Sequence, residues 1–362
     1  MALKHDNLTF SPTTRPTAVI GSGTLGSRIA LMLASSGGEV RLYDPNADQL
    51  EVARRYVEAE LPRVVAGRSG ALPGRLVLSK TVQAAVAETW MVVEAIPERL
   101  DPKRKMFGDL DRLAPEDAIL ASNSSSYPTS QFIDAVSRPG RVVNTHYYRP
   151  PELNVVEVMS CGKTTDEVIA RLFERLPTYG LVPFRVLKES VGFIYNRIWA
   201  AIKRESLAVV AEGVSTPQVV DRLFQSVLGS HDGPFRIMDK VGLDVVLDIE
   251  EHYAAIRPGI PAEPRQLLKR YIEQGRLGIK SVSPARSSML SDVFFQREIS
   301  GFSRTTMRPV EGVFSSASTW RLRCSKAACC MASWSWGFSW TATFIVAVSD
   351  SIRSISSCLL FS

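Results

Sequence analysis

The chain predicts an α/β doubly wound sheet followed by an all-α C-terminal domain, and three observations carry that reading. Short apolar runs alternate with helix-periodic stretches from Thr17 to Leu187, the pattern of a mostly parallel sheet covered on both faces. The first run, Thr17 to Ile20, leads directly into Gly21-x-Gly23-x-x-Gly26. After Val191 the strand-like runs stop, and apolar residues recur at helical spacing.

Taken in order, the stretch Ala18-Val-Ile-Gly-Ser-Gly-Thr-Leu-Gly26 is the most informative. Gly21 permits a tight turn, Gly23 lets the backbone approach a pyrophosphate, and Gly26 lets the helix pack closely on the strand. Thr24 and Leu25 open that helix, whose free N–H groups and dipole favour phosphate oxygens. A second apolar run, Glu39-Val-Arg-Leu-Tyr43, ends in Asp44, 18 residues after Gly26. A carboxylate there accepts hydrogen bonds from the adenine ribose and repels a 2′-phosphate, so a Rossmann-type site for NAD rather than NADP is expected. Arg41 is the one nearby cation that softens the preference.

A helix is predicted from Ala47 to Val65, a short strand at Leu76–Leu78 and a buried strand in Trp90-Met-Val-Val-Glu-Ala-Ile96. A helix from Pro102, a strand at Ala118-Ile-Leu-Ala121 and a helix capped near Thr129 or Ser130 follow. Arg141–Thr145 reads as a strand ending in His146, Leu153–Val158 as a strand, Val168–Leu176 as a helix and Val182–Leu187 as a strand. Helical spacing then runs from Gly192 to Gly213, through Pro217–Leu228, Phe235–Ile256 and Glu263–Glu273. The long apolar helix after Gly192 is either a subunit interface or a buried core helix. The expected domains are 16–189 for the nucleotide-binding sheet and 190–281 for a helical substrate and dimerisation domain.

Composition is ordinary for a globular enzyme: 362 residues, 45% hydrophobic, 22% charged, net charge +6. No basic cluster interleaved with aromatics points to nucleic acid. Five cysteines without metal-ligand spacing suggest a reducing compartment, and the first 16 residues lack an apolar signal core, so a cytoplasmic protein is expected, with a peroxisomal or mitochondrial location as the alternatives, and with no membrane partner and no metal.

Residues 282–362 break the pattern. They hold four of the six tryptophans, four of the five cysteines, and eight Lys/Arg against four Asp/Glu. Ala327–Ser349 is 23 residues without a charge, yet its serines and threonines make it a poor membrane span. The pair Val282-Ser283 is encodable as GTN-AGY, the pattern of a splice donor. The tail therefore reads as translated intron or out-of-frame sequence, expected to be disordered, with a genuine anchor or extension as the alternative.

Ligands of open α/β sheets sit beyond the carboxyl ends of the strands, where Glu98, Ser125 and His146 converge. His146 is the natural proton carrier, and Glu157 lies on the next strand, placed to accept the imidazole proton and stabilise imidazolium. Asn196 is an odd polar choice among Phe193, Ile194 and Ile198 unless it serves a site.

At this set of residues the chain resembles the 3-hydroxyacyl-CoA dehydrogenase family, including its lambda-crystallin (gulonate 3-dehydrogenase) branch. The resemblance runs from about Pro16 to Ser281. It rests on Gly21-Ser-Gly-Thr-Leu-Gly26, Val93-Glu-Ala-Ile-Pro-Glu98, Ser122-Asn-Ser-Ser-Ser126, His146, Val155-Val-Glu-Val158, Val191-Gly-Phe-Ile-Tyr-Asn-Arg197, Gly233-Pro-Phe235 and Val241-Gly-Leu-Asp244. It implies a 6-phosphogluconate-dehydrogenase-like helical domain, NAD as cofactor, a small hydroxy acid or acyl-CoA substrate, and a homodimer. It also implies His146 as general base held by Glu157, Ser125 on the reacting oxygen, Asn196 holding substrate and nicotinamide in register, and Glu98 on the nicotinamide side. Two departures stand out, one beside His146 and one at the end of the helical domain, where Gly275-Arg-Leu-Gly-Ile-Lys-Ser281 resembles the family's penultimate motif without the glycine and aromatic closing segment that normally follows. In place of the family's asparagine three residues after the histidine stands Arg149, in His146-Tyr-Tyr-Arg149-Pro-Pro, and a guanidinium there suits a carboxylate clamp. The 47–66 segment, where acyl-CoA members offer lysines, supplies only Arg54, Arg55 and Arg63. A preference for a free hydroxy acid, or an acyl group bearing its own carboxylate, is therefore expected.

Overall fold

The computed structural model describes residues 15–281. The expectations for the 282–362 tail, anchor or artefact, lie outside the described residues. Eight strands form one sheet: β1 (Thr17–Ile20), β2 (Glu39–Tyr43), β3 (Arg75–Leu78), β4 (Met91–Glu94), β5 (Ile119–Ser122), β6 (Val142–Arg149), β7 (Leu153–Ser160) and β8 (Val182–Val186). Their order is β3-β2-β1-β4-β5-β6-β7-β8, and every neighbouring pair is parallel except β6–β7. The chain winds outward from β1 to β3, then returns to the other side of β1 for β4. The topological switch thus falls between the ends of β1 and β4.

Strand residues are sorted by the period of two. Val19, Val93, Ala121 and Val143 pack with α1 (Thr24–Ala34), α2 (Ala47–Ala66) and α5 (Asp166–Arg175). Ala18, Ile20, Val92 and Leu120 pack on the other face with α3 (Val82–Val86) and α4 (Leu100–Leu113). Both faces are covered, which is why these strands read as near-continuous apolar runs.

The helical layer comprises α6 (Tyr195–Ala211), α7 (Pro217–Leu228), α8 (Pro234–Val241), α9 (Leu243–Ile256) and α10 (Glu263–Glu273). Its core joins Leu207, Phe235, Met238, Val246 and Leu268. Among the described residues no helix is long and apolar enough to cross a membrane.

Four local expectations need correction. The helix capped near Thr129 or Ser130 is one 3₁₀ turn, Thr129–Gln131. There the side chains of Asn144 and Glu189 accept from the Thr129 and Ser130 N–H groups. The helix from Gly192 starts at Tyr195, because Gly192 and Phe193 hold left-handed φ values of 78° and 52°. The stretch Phe235–Ile256 is two helices, broken at Gly242 with φ 103°. The fourth is β6, which continues past Thr145, so His146 lies inside a paired strand.

The helical layer also holds a buried acid. Asp239 is 0% exposed, and among the described residues neither carboxylate oxygen has a hydrogen-bond partner. Burial first, then the neighbouring Asp221, push its pKa up to about 7. The carboxyl is easier to protonate folded than unfolded. Its contribution therefore favours the fold below about pH 4 and is lost as pH rises toward 7, a difference on the order of 4 kcal/mol. Asp239→Asn is expected to raise the melting temperature by several degrees at about pH 8 and to leave it nearly unchanged at about pH 4. Scanning calorimetry at the two pH values reads this, and destabilisation at the higher pH would mean the carboxylate anchors the fold.

Candidate active site

The glycine turn is built as a nucleotide cradle. A Cβ on Gly21 would collide with the Ala95 carbonyl, and one on Gly26 would overlap the Gly21 carbonyl oxygen. A Cβ on Gly23 would meet nothing within 4 Å, so open space lies over the N-terminus of α1. No side chain caps that terminus, where Gly23 is the N-cap, leaving its N–H groups available to phosphate oxygens. Asp44 is half-buried at the end of β2; its Oδ2 accepts from the Ser22 N–H at 2.8 Å and its Oδ1 from the Asn46 N–H at 2.9 Å. The buried Ser22 Oγ has no partner. Open space, uncapped amides and a half-exposed carboxylate fit a dinucleotide. Arg41 is turned elsewhere, toward Glu39 and the carbonyls of Ala84 and Ala87.

Between the sheet and the helical layer lies a cleft of about 590 Å³, within the range of small-molecule sites. Leu25, Glu98, Ser125, His146 and Asn196 all line it. Asp44 and the three glycines lie outside this lining.

His146 and Glu157 are direct partners across the antiparallel β6–β7 pair, so the ladder itself brings their side chains together. His146 Nδ1 lies 3.0 Å from Glu157 Oε2. The same oxygen accepts from the Tyr148 hydroxyl at 2.8 Å, and Oε1 accepts from the backbone N–H groups of Ile194 and Tyr195 at 2.9 and 3.1 Å. Burial raises the Glu157 pKa, but His146 and the three further donors outweigh it and hold the carboxyl below its usual range. Burial and the adjacent carboxylate push the Tyr148 hydroxyl the other way, upward, so it stays a neutral donor. Phe193 stacks on the imidazole at 4.8 Å between centroids.

Glu98 belongs to a network that sequence reasoning missed. Lys103, 1% exposed, lies 2.9 Å from Glu94 and 3.1 Å from Glu98. The Ser124 hydroxyl and the Ser126 N–H donate to Glu98 Oε1 at 2.6 and 2.8 Å. Burial raises the Glu98 pKa, and Lys103 with these donors more than reverses that. The network pins the 122–126 loop and leaves Ser125 exposed in the cleft.

Arg149, expected as a carboxylate clamp, is not among the residues that line the cleft. It stands beyond a register shift in the β6–β7 ladder, paired with Leu153. Tyr148 occupies the cleft instead. Arg54, Arg55 and Arg63 are all ion-paired to Glu51, Glu58 or Glu60 on their own helix.

Known proteins share this architecture. Residues 16–190 match the NAD-binding domain of 3-hydroxyacyl-CoA dehydrogenase, and residues 192–286 match its C-terminal domain. A probable 3-hydroxybutyryl-CoA dehydrogenase of Bacillus subtilis is 32% identical over 270 residues, 73% of this chain and 93% of that one. The 3-hydroxyadipyl-CoA dehydrogenase of Escherichia coli is 32% identical over 277 residues, 73% of this chain and 57% of that one. The crystal structure of (S)-3-hydroxybutyryl-CoA dehydrogenase PaaH1 from Ralstonia eutropha superposes with a TM-score of 0.67 at 26% identity, covering 74% of this chain and 97% of that one. The two domain matches fall in order on the two layers that frame the cleft, and the chain belongs to the 3-hydroxyacyl-CoA dehydrogenase family of NAD-dependent oxidoreductases.

Proposed function

We propose that the protein oxidises the hydroxyl of a 3-hydroxyacyl substrate with His146 as general base and Glu157 as its orienting partner. The 3.0 Å contact between His146 Nδ1 and Glu157 Oε2 inside the cleft carries this reading. With Glu157 held ionised, Nδ1 keeps its proton and Nε2 faces the substrate as acceptor. NAD, when held at the glycine turn and Asp44, would supply the hydride acceptor for the hydroxyl-bearing carbon. As that carbon becomes a carbonyl, the hydroxyl proton passes to Nε2 and the imidazolium is stabilised by Glu157. Ser125 holds the reacting oxygen, Asn196 keeps substrate and nicotinamide aligned, and Glu98 borders the nicotinamide; alignment supplies much of the rate.

NADH formation with 3-hydroxybutyryl-CoA and with gulonate as substrates tests the reading, with His146→Gln as the control. Cofactor binding without turnover of any hydroxy acid or ester would instead favour a non-catalytic NAD-binding protein.

We also propose that the assembly is a homodimer through the helical layer. Val219, Leu223 and Val227 recur every fourth residue on α7 and are each more than half exposed, with Ile198 of α6 similarly exposed. Sedimentation at twice the chain mass is expected; a monomer at micromolar concentration would remove the proposal.

A further inference from the structure

Asn196, Trp199 and Lys203 stand at i, i+3 and i+7 on α6 and all line the cleft, so one stripe of this helix faces the substrate. Among the described residues that line the cleft, Lys203 is the only lysine or arginine. It is 3% exposed. Its Nζ lies 3.6 Å from Glu250 Oε1, an ion-pair separation, and among the described residues that oxygen has no hydrogen-bond partner. The other oxygen of Glu250 takes Arg204 at 3.1 Å. One fully buried carboxylate thus serves two cations, and a positive charge is left over at the floor of the cleft. Burial pulls the Lys203 pKa below its usual value, with Glu250 opposing and Arg204 adding to the fall. The remaining charged liners, Glu98 and Asp248, are both exposed, and Glu98 is already tied to Lys103.

Seven residues of helix separate the Cα atoms of Asn196 and Lys203 by about 10 Å, and both residues line the cleft, so they mark two points along it.

We propose that Lys203 is a specificity residue that receives a carboxylate at the far end of the substrate's 3-hydroxyacyl chain. This rests on the function proposed above. The carboxylate supplies the second anion that the buried Lys203–Arg204–Glu250 group lacks, whereas an alkyl end leaves the ammonium facing hydrocarbon.

The test compares two CoA esters of equal chain length, 3-hydroxyhexanoyl and 3-hydroxyhexanedioyl, which differ in a terminal carboxylate. The full chain is expected to favour the carboxylate-ended ester by roughly tenfold to a hundredfold in kcat/KM, mostly through KM. Lys203→Met is expected to bring the ratio of the two esters to about one, and Lys203→Arg to keep part of it. Equal turnover of the two esters by the unaltered protein overturns the proposal. So does a Lys203→Met variant that slows both esters alike and preserves their ratio, the mark of a purely structural ion pair. If neither ester is oxidised, the dehydrogenase reading fails on its own. Calorimetric binding of the two esters then decides the Lys203 site: tighter binding of the carboxylate-ended ester, lost in Lys203→Met, supports it, and equal binding overturns it.

Discussion

His146→Gln is expected to lower kcat/KM by roughly 10²–10⁴-fold while NADH binding stays close to that of the unaltered protein. Glutamine keeps the bulk beside Phe193 and still offers an N–H to Glu157, so the packing around the buried pair survives. What it lacks is a basic nitrogen facing the substrate. Fluorescence titration with NADH and steady-state turnover separate the two effects. Activity retained within a few fold would place the base elsewhere. Residual activity is expected to come from the positioning by Ser125 and Asn196, which the substitution leaves in place.

Gly26→Ala is expected to destabilise the protein by on the order of 3 kcal/mol and to abolish NAD binding. The added methyl overlaps the Gly21 carbonyl oxygen, a backbone atom of the turn that no rotamer change can move away. Relief requires lifting α1 off β1, which disrupts the core shared by Ile29, Ala30 and Val19. Gly23→Ala provides the contrast. Its methyl meets no protein atom within 4 Å, so the melting temperature is expected to hold while NAD affinity falls, because the methyl enters the space a pyrophosphate needs. Calorimetry and NAD titration on both variants check the pair. Equal melting temperatures for the two would contradict the packing argument.

These two predictions draw on features that were legible in the sequence, since Gly21, Gly23, Gly26, His146 and Glu157 belong to local patterns. Glycine spacing encodes a turn, and two strands in sequence place His146 opposite Glu157 when they pair. Tyr148 carried the same signal, because a residue two positions from His146 on a strand shares its face. Other features depend on tertiary geometry. The register shift beside Arg149 follows from how β6 meets β7, which spacing does not encode. Lys103 and Lys203 resemble ordinary helix-surface lysines, and only the fold buries them against carboxylates. The short α3 escaped because five residues are too few to establish a helical period; its N-cap at Thr81 was the available clue.

Glu157 accepts two backbone amides from Ile194 and Tyr195, at the point where the chain enters α6. The carboxylate that pairs with His146 is therefore fastened to the same helix that carries Asn196, so the roles proposed for the two depend on one element. Were α6 to swing away from the sheet, the latch would release, and proton-accepting power and substrate grip would fade together. A misplacement of about 1 Å can cost on the order of a hundredfold in rate. Chemistry in this fold is thus interlocked with the seating of one layer on the other, and a loosely docked enzyme would sit idle rather than misfire.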